Sequence, residues 1–326
     1  MDVALATLLS PIVLFFALGM AAALLRSQMT VPEAFAKGLA IYLMMAIGLK
    51  GGVEMSKSVL TLDTILMLLA GIFLSFIVPF IAYLCLKYTT KLSRVDAAAV
   101  AAHYGSISIV TFVAATEAIR LSGLDSSGHM VAVAALMETP AIISALIIAA
   151  RGRKKEKEPV AGAEQGELVR EVMLNASVVV LIGALAIGWI GGEQGMTRVE
   201  PFFVDLFQGV LCLFLLDMGL SAGRGLRQGW RLLDAATIGF GIYMPLVSAA
   251  LATVICFALG ASAGDAALLI TLAASASYIA VPAAMRLALP EAKPSVYLTL
   301  SLGVTFPFNV TLGIPLYILI AQAVTG

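Results

Sequence analysis

The stretch Ala102-His103-Tyr104-Gly105-Ser106-Ile107-Ser108 interrupts a long apolar run with small hydroxyl residues. A second stretch, Ala273-Ala274-Ser275-Ala276-Ser277-Tyr278, interrupts the corresponding apolar run in the other half of the chain. Small hydroxyl residues in the middle of a hydrophobic stretch are poorly suited to face lipid. Two such interruptions in matching halves predict a pair of broken helices around a buried binding site.

The composition is that of an integral membrane protein. The 326 residues are 61% hydrophobic and only 12% charged, and the mean hydropathy is +1.02. A soluble domain of this length carries far more charge. Equal numbers of basic and acidic residues, 20 of each, imply no basic surface for nucleic acid.

The apolar runs predict an all-α membrane protein with about ten transmembrane helices, each about 20 residues long. Helices are expected because a segment alone in lipid must satisfy its own backbone hydrogen bonds. The runs lie near residues 5–25, 35–52, 60–86, 95–119, 128–150, 172–191, 203–222, 234–259, 265–287 and 297–322. Most of the 20 basic residues fall in alternate loops, which predicts both termini outside a cell inner (plasma) membrane.

The chain divides into two halves of similar length. Residues 1–152 form a first five-helix repeat, residues 153–170 a charged cytoplasmic linker, and residues 171–326 a second repeat. Matching landmarks occur in the same order in both halves: Pro32 and Pro201, Pro79 and Pro245, Asp96 and Asp265, Pro140 and Pro307. Since five spans are an odd number, the second repeat enters from the opposite side, which predicts a 5+5 inverted repeat.

The two interruptions predict an anion site. A helix broken at mid-membrane points the amides and the dipole of its second half, worth about half a positive charge, at the gap. The candidate substrate-binding residues are Gly105, Ser106, Ser108, Thr111, Ser275 and Ser277. The alternative is that these small residues only let helices pack closely.

Polar residues at the same depth on neighbouring spans predict a cation site. Glu138 and Asn309 would supply the oxygen ligands that a small cation prefers, with Na⁺ as the expected coupling ion. A proton carried by Glu138 and a purely structural Glu138 remain alternatives. His103 could titrate near the site, although a lone histidine is more often a packing residue, and Glu117 with Arg120 indicates a structural pair.

The sequence carries no pattern of an ATP-driven pump or of an enzyme. It lacks a P-loop, a dinucleotide fingerprint, metal-ligand spacing and a nucleophile elbow. Cys85, Cys212 and Cys256 lie apart within apolar runs, which predicts neither a disulfide nor a metal centre. We therefore expect a secondary transporter without a cofactor.

Four stretches carry a resemblance to a known family. They are Val31-Pro32-Glu33-Ala34, Ile47-Gly48-Leu49-Lys50-Gly51-Gly52, Met137-Glu138-Thr139-Pro140-Ala141 and Pro290-Glu291-Ala292-Lys293-Pro294-Ser295-Val296-Tyr297. In these the chain resembles the SbtA-type sodium-dependent bicarbonate transporters. The resemblance implies a homotrimer with core and gate domains, bicarbonate between the broken helices, Na⁺ coupling, elevator-like motion and a possible cytoplasmic PII-like regulator.

The chain departs from that family in the second interruption. Cyanobacterial members read approximately Ser-Ser-Ser-Asp-Ile-Ser-Gly-Pro-Pro there, whereas this chain has Tyr278 at the acidic position and Ala280 and Val281 at two small positions. Two alternatives to bicarbonate uptake follow on the same fold. One is a Na⁺- or H⁺-coupled carrier of a small organic acid, and the other is a non-transporting membrane sensor.

Overall fold

The computed structural model describes residues 9, 11–57, 61–152, 176–229, 233–278, 281–282, 285, 289 and 291–325, and these residues are almost entirely helical. The predicted linker, residues 153–170, lies outside them, as does most of the chain between Tyr278 and Glu291. The helices are α1 Pro11–Leu24, α2 Glu33–Lys57, α3 Leu62–Thr89, α4 Arg94–Gly105, α5 Ile109–Leu121, α6 His129–Leu136, α7 Thr139–Gly152, α8 Ala176–Glu200, α9 Phe207–Gly229, α10 Ala235–Leu259, α11 Ala263–Ala274 and α12 Pro294–Thr325.

In the described part of the chain, six helical stretches are long and apolar enough to cross a membrane. They are Glu33–Ser56, Leu62–Thr89, Arg94–Leu121, Phe207–Arg227, Ala235–Leu259 and Pro294–Thr325. This confirms the predicted all-α, multi-pass membrane protein. The full plan of ten spans stays a prediction, because several of the remaining predicted spans are shorter helices or extend beyond the described residues.

Two pairs of helices cross at glycines. Gly19 of α1 and Gly219 of α9 each lie against the backbone of the other helix, and so do Gly52 of α2 and Gly188 of α8. A Cβ atom added to any of the four would collide with backbone of the facing helix. Close backbone approach at small residues is a typical way for helices to associate in lipid, where no hydrophobic driving force exists between them. The four helices therefore form two tightly packed pairs.

The remaining helices pack around the interrupted segments. Helix α3 lies against α4 and α7, and α10 lies against α11 and α12. Helices α3 and α10 each contain an internal proline, Pro79 and Pro245. A Cβ atom on Gly105, the last residue of α4, would overlap Pro79 and lie 2.8 Å from the Ser75 carbonyl oxygen. The end of α4 thus fits directly against α3.

Two aspartates tie the starts of α4 and α11 to other helices. The Asp96 carboxylate, in the first turn of α4, accepts a hydrogen bond at 2.9 Å from the backbone N–H of Lys293, just before α12. Asp265, in the first turn of α11, accepts bonds from the N–H and the hydroxyl of Ser127 at 2.6 and 2.8 Å, just before α6. Each interrupted helix is therefore anchored to a helix from the other half of the chain.

Candidate functional site

The first interruption separates α4 from α5. Residues 106–108 leave the helical conformation: Ser106 has φ −94° and ψ 149°, and Ser108 has φ −103° and ψ 111°. The Ser108 hydroxyl then accepts a hydrogen bond from the N–H of Thr111 at 3.2 Å and caps the start of α5. The break predicted here is present, and it places a capped helix N-terminus inside the protein.

The second interruption begins where α11 ends. Ser275 is extended, with φ −80° and ψ 164°, and the chain stays non-helical through Tyr278. The Ser275 hydroxyl donates to the Leu272 carbonyl at 2.8 Å and accepts from the N–H of Ser108 at 3.0 Å. Its hydroxyl is therefore engaged both as donor and as acceptor.

The two extended segments lie side by side. Besides the bond between Ser108 and Ser275, the N–H of Ser277 donates to the carbonyl of His103 at 2.7 Å. Ser106 falls between these two connections in the sequence. We call this place, formed by residues 103–108 and 275–278, the crossing. It brings together the predicted substrate-binding residues Gly105, Ser106, Ser108, Ser275 and Ser277, with Thr111 one turn into α5, and all of them are buried.

Three polar atoms at the crossing have no hydrogen-bond partner among the residues that the structure describes. They are the hydroxyl of Ser106, the hydroxyl of Tyr278 and Nε2 of His103, all of them buried. The Tyr278 hydroxyl lies close to the Ser108 side chain without reaching hydrogen-bond geometry. A buried polar group without a partner costs about 1–3 kcal/mol, so three such atoms on the two segments of the crossing make it a candidate for binding a polar ligand.

Gly105 has a packing role at this position. Its missing side chain is required by the contact with Pro79 and Ser75 on α3 described above. The substrate contact predicted for Gly105 is a separate matter and stays a prediction. The glycine signal in the sequence is explained by close helix packing alone.

Glu138 lies at a third interruption. Helix α6 ends at Leu136 and α7 begins at Thr139, so Met137 and Glu138 form a short break that the sequence analysis did not predict. The signal was Pro140, since proline is favoured in the first turn of a helix. Glu138 is buried, and its Oε2 has no hydrogen-bond partner. A buried carboxyl group in this condition is a candidate for binding a cation or a proton.

Asn309 is part of the helix packing. It begins a π turn, Asn309–Gly313, within α12. Its Nδ2 donates to the carbonyl of Ala274 at 2.8 Å, and its Oδ1 accepts from the hydroxyl of Tyr317 at 2.9 Å. Among the described residues no hydrogen bond or ion pair joins Asn309 to Glu138, so the cation site predicted for this pair stays a prediction.

A polar junction connects α5 to α9. Nη2 of Arg120 lies 2.6 Å from Oε1 of Glu117, as expected for the predicted pair. The same carboxylate oxygen accepts a bond from Nε2 of Gln208 at 2.7 Å. Gln208 was not predicted, because nothing in the sequence places the start of α9 beside the end of α5.

Comparison with known proteins identifies the family of the chain. No individual curated protein matches the chain. The model of one family matches residues 11–322, which is nearly the whole chain and includes both extended segments of the crossing. The chain thereby belongs to the Na⁺-dependent bicarbonate transporter superfamily.

Proposed function

We propose that the protein is a secondary active transporter that takes up bicarbonate together with Na⁺. The observation that carries the proposal is the crossing, where a helix N-terminus and unpartnered hydroxyl groups meet inside a membrane protein of this superfamily. A transport site has to hold its ligand and release it again. Neutral donors suit that need better than a fixed positive charge, which would retain an anion.

The anion would be held by donors from both segments. The start of α5 contributes the partial positive charge of its free amides, and the hydroxyls of Ser106 and Tyr278 contribute hydrogen bonds. Neither segment contains Lys or Arg. Of the other predicted contacts, Ser108 acts through the cap of α5, Ser275 through the bond to Ser108, and Thr111 and Ser277 through their place in the buried segments.

The cation would be held by Glu138. An ionised carboxylate is very costly to bury without a partner, and Na⁺ would remove that cost while adding a driving force for uptake. Asn309 would contribute oxygen to the ion only if its bond with Tyr317 opened. The alternative is that Glu138 binds a proton and that anion uptake is coupled to H⁺ instead of Na⁺.

The helix packing suggests which parts of the protein would move during transport. In this proposal the glycine-crossed helices α1, α2, α8 and α9 form a gate domain, and the interrupted helices with α3 and α10 form a core that slides against it. The reciprocal bonds of Asp96 and Asp265 support an inverted repeat, since each half anchors the other in the same way. We also propose a homotrimer, and a PII-like regulator that would bind residues 153–170.

Uptake of labelled bicarbonate into proteoliposomes, with and without an inward Na⁺ gradient, tests the function. We expect uptake that requires Na⁺ and that Ser106→Ala lowers strongly. Thr116→Val is the matched control, because the Thr116 hydroxyl only bonds the Phe112 carbonyl within α5. Absence of uptake by folded wild-type protein would contradict bicarbonate transport, and uptake that ignores Na⁺ would contradict the coupling.

Tyr278 favours a second candidate, a carrier of a small organic acid. Its phenol supplies a donor and an aromatic face in the site, and its ring meets Phe306 edge-on with centroids 5.3 Å apart. Both features would suit a carboxylate with an apolar part. Counterflow of labelled formate, acetate and lactate tests this candidate, and binding of an anion without any exchange would instead indicate a sensor.

A further inference from the structure

His103 carries an unpartnered hydrogen-bond acceptor on the helix that leads into the crossing. Its Nδ1 lies 2.6 Å from the carbonyl oxygen of Ala99. Because a carbonyl oxygen only accepts, Nδ1 must carry the hydrogen, and in the neutral ring Nε2 is then a bare lone pair. His103 is fully buried, and Nε2 has no partner.

The imidazole ring is held in place from two sides. The backbone carbonyl of His103 is part of the crossing through its bond with Ser277. The ring stacks on Tyr297 of α12, with centroids 4.5 Å apart and planes 28° from parallel. Since Nδ1 faces the backbone of α4, Nε2 lies on the ring edge turned away from that helix. The lone pair is therefore fixed and cannot turn to find another partner.

The other unpartnered groups at the crossing can donate. The Ser106 and Tyr278 hydroxyls and the amides at the start of α5 serve any oxyanion equally well, because every oxyanion offers acceptor oxygens. They cannot distinguish bicarbonate, which carries an O–H group, from nitrate or formate, which do not. A hydroxyl can turn either to donate or to accept and therefore tolerates both kinds of anion, whereas a fixed lone pair such as Nε2 of His103 accepts only from an anion that carries a proton.

We propose that His103 is the specificity-determining residue of the anion site, with Nε2 accepting the O–H of a protonated oxyanion. The inference rests on the proposed function and names the group that selects its substrate. A protonated oxyanion satisfies the buried lone pair, whereas an anion without a proton leaves it unpaired and brings a negatively charged oxygen against it. This difference penalises the wrong anion more than it rewards the right one.

Competition in the uptake assay tests the role of His103. The variant His103→Phe keeps a flat ring on Tyr297 and removes the lone pair. We expect it to weaken bicarbonate binding about tenfold while nitrate and formate compete at least as well as before. Tyr278→Phe, which removes a donor, should weaken all three anions by similar factors. The control is His129→Phe at the start of α6, which removes a second imidazole outside the crossing, with its buried Nε2 4.0 Å from the Asp265 carboxylate. It should leave the ratios among the three anions unchanged.

A second measurement needs only folded wild-type protein. The chain contains two histidines, so the ¹⁵N imidazole signals of His103 and His129 can be told apart with the His129→Phe variant. Without ligand, His103 should show a protonated Nδ1 and a bare Nε2. Bicarbonate should shift the Nε2 signal of His103, and nitrate should not.

The outcomes separate the two proposals. Bicarbonate binding that leaves the Nε2 signal unchanged, or a His103→Phe variant that weakens nitrate as much as bicarbonate, overturns the role of His103 alone. Folded protein that binds nitrate or formate and never bicarbonate overturns the proposed function and this inference with it. A selective loss together with the Nε2 shift supports both.

Discussion

The two halves of the chain bring similar polar residues to the crossing and its neighbouring helices but use them differently. In the first half of the chain the hydroxyl of Ser106, Nε2 of His103 and Oε2 of Glu138 have no partner among the described residues. In the second half Ser275 bonds Leu272 and Ser108, and the amide of Asn309 bonds two groups as well. The first half thus leaves three polar atoms open to a ligand, whereas Ser275 and Asn309 of the second half hold the structure and Tyr278 is the exception.

This difference teaches that matching positions in two halves need not have matching roles. Asn309 was predicted beside Glu138 as a cation ligand, yet its Nδ2 and Oδ1 are both engaged. A polar atom that is already bonded stabilises the fold, and one that is buried and unbonded can contribute to binding. The distinction predicts two different kinds of mutant.

The largest effect is expected at Asn309. The variant Asn309→Leu would leave the Ala274 carbonyl and the Tyr317 hydroxyl unpaired inside the protein, which costs about 1–3 kcal/mol for each group. We expect a strongly lowered unfolding temperature in detergent, with low yield of folded protein. Thermal unfolding followed by intrinsic fluorescence measures this, with Thr253→Val on α10 as the control for loss of one local hydroxyl bond. Stability equal to that of the wild type would contradict the structural role.

The sequence could predict the two interruptions because their signal is local. Serines within apolar runs indicate a break whatever surrounds them, and α4 and α11 end where the sequence indicated. The use of Asn309 depends on Ala274, 35 residues away, and on the geometry of a π turn in α12. The same applies to Gln208, whose partner Glu117 lies on another helix. Partners of this kind arise from tertiary packing, and one sequence does not contain them.

The next effect concerns the free hydroxyl of Ser106. The variant Ser106→Ala removes a group without a partner, so the free energy of unfolding should hardly change, while bicarbonate uptake should fall about tenfold or more. Ser275→Ala should do the opposite. It breaks two hydrogen bonds, to Leu272 and to Ser108, and should lower the free energy of unfolding by about 1–3 kcal/mol. Measuring both uptake and thermal unfolding for each variant shows whether Ser106 acts in binding and Ser275 in stability. Equal losses of stability would remove the contrast between the two halves.

Glu138→Gln tests the remaining free group of the first half. The amide is similar in size but carries no charge, so the variant should stay folded and should lose the dependence of uptake on Na⁺. Uptake measured over a range of Na⁺ concentrations at fixed bicarbonate gives the result. An unchanged Na⁺ response would place the cation elsewhere. Loss of a pH response with no effect of Na⁺ in wild type or variant would identify the proton as the coupled ion.

The smallest effect is expected at the junction between α5 and α9. Gln208 donates to Glu117 at 2.7 Å, and Glu117 is also held by Arg120, so its carboxylate keeps a partner when Gln208 is lost. We expect Gln208→Leu to lower the free energy of unfolding by about 0.5–1.5 kcal/mol.

The more informative effect of Gln208→Leu is on the rate of transport. Helix α5 belongs to the proposed core and α9 to the proposed gate, so the bond between Gln208 and Glu117 must break when the core moves. The variant should therefore change the rate of exchange more than the affinity for the anion, because it alters the barrier between states and leaves the crossing intact. Exchange of labelled bicarbonate at saturating concentration measures the rate, with Thr116→Val on α5 as the control. An altered affinity with an unchanged rate would show that the junction supports the binding site and does not separate two positions of the core.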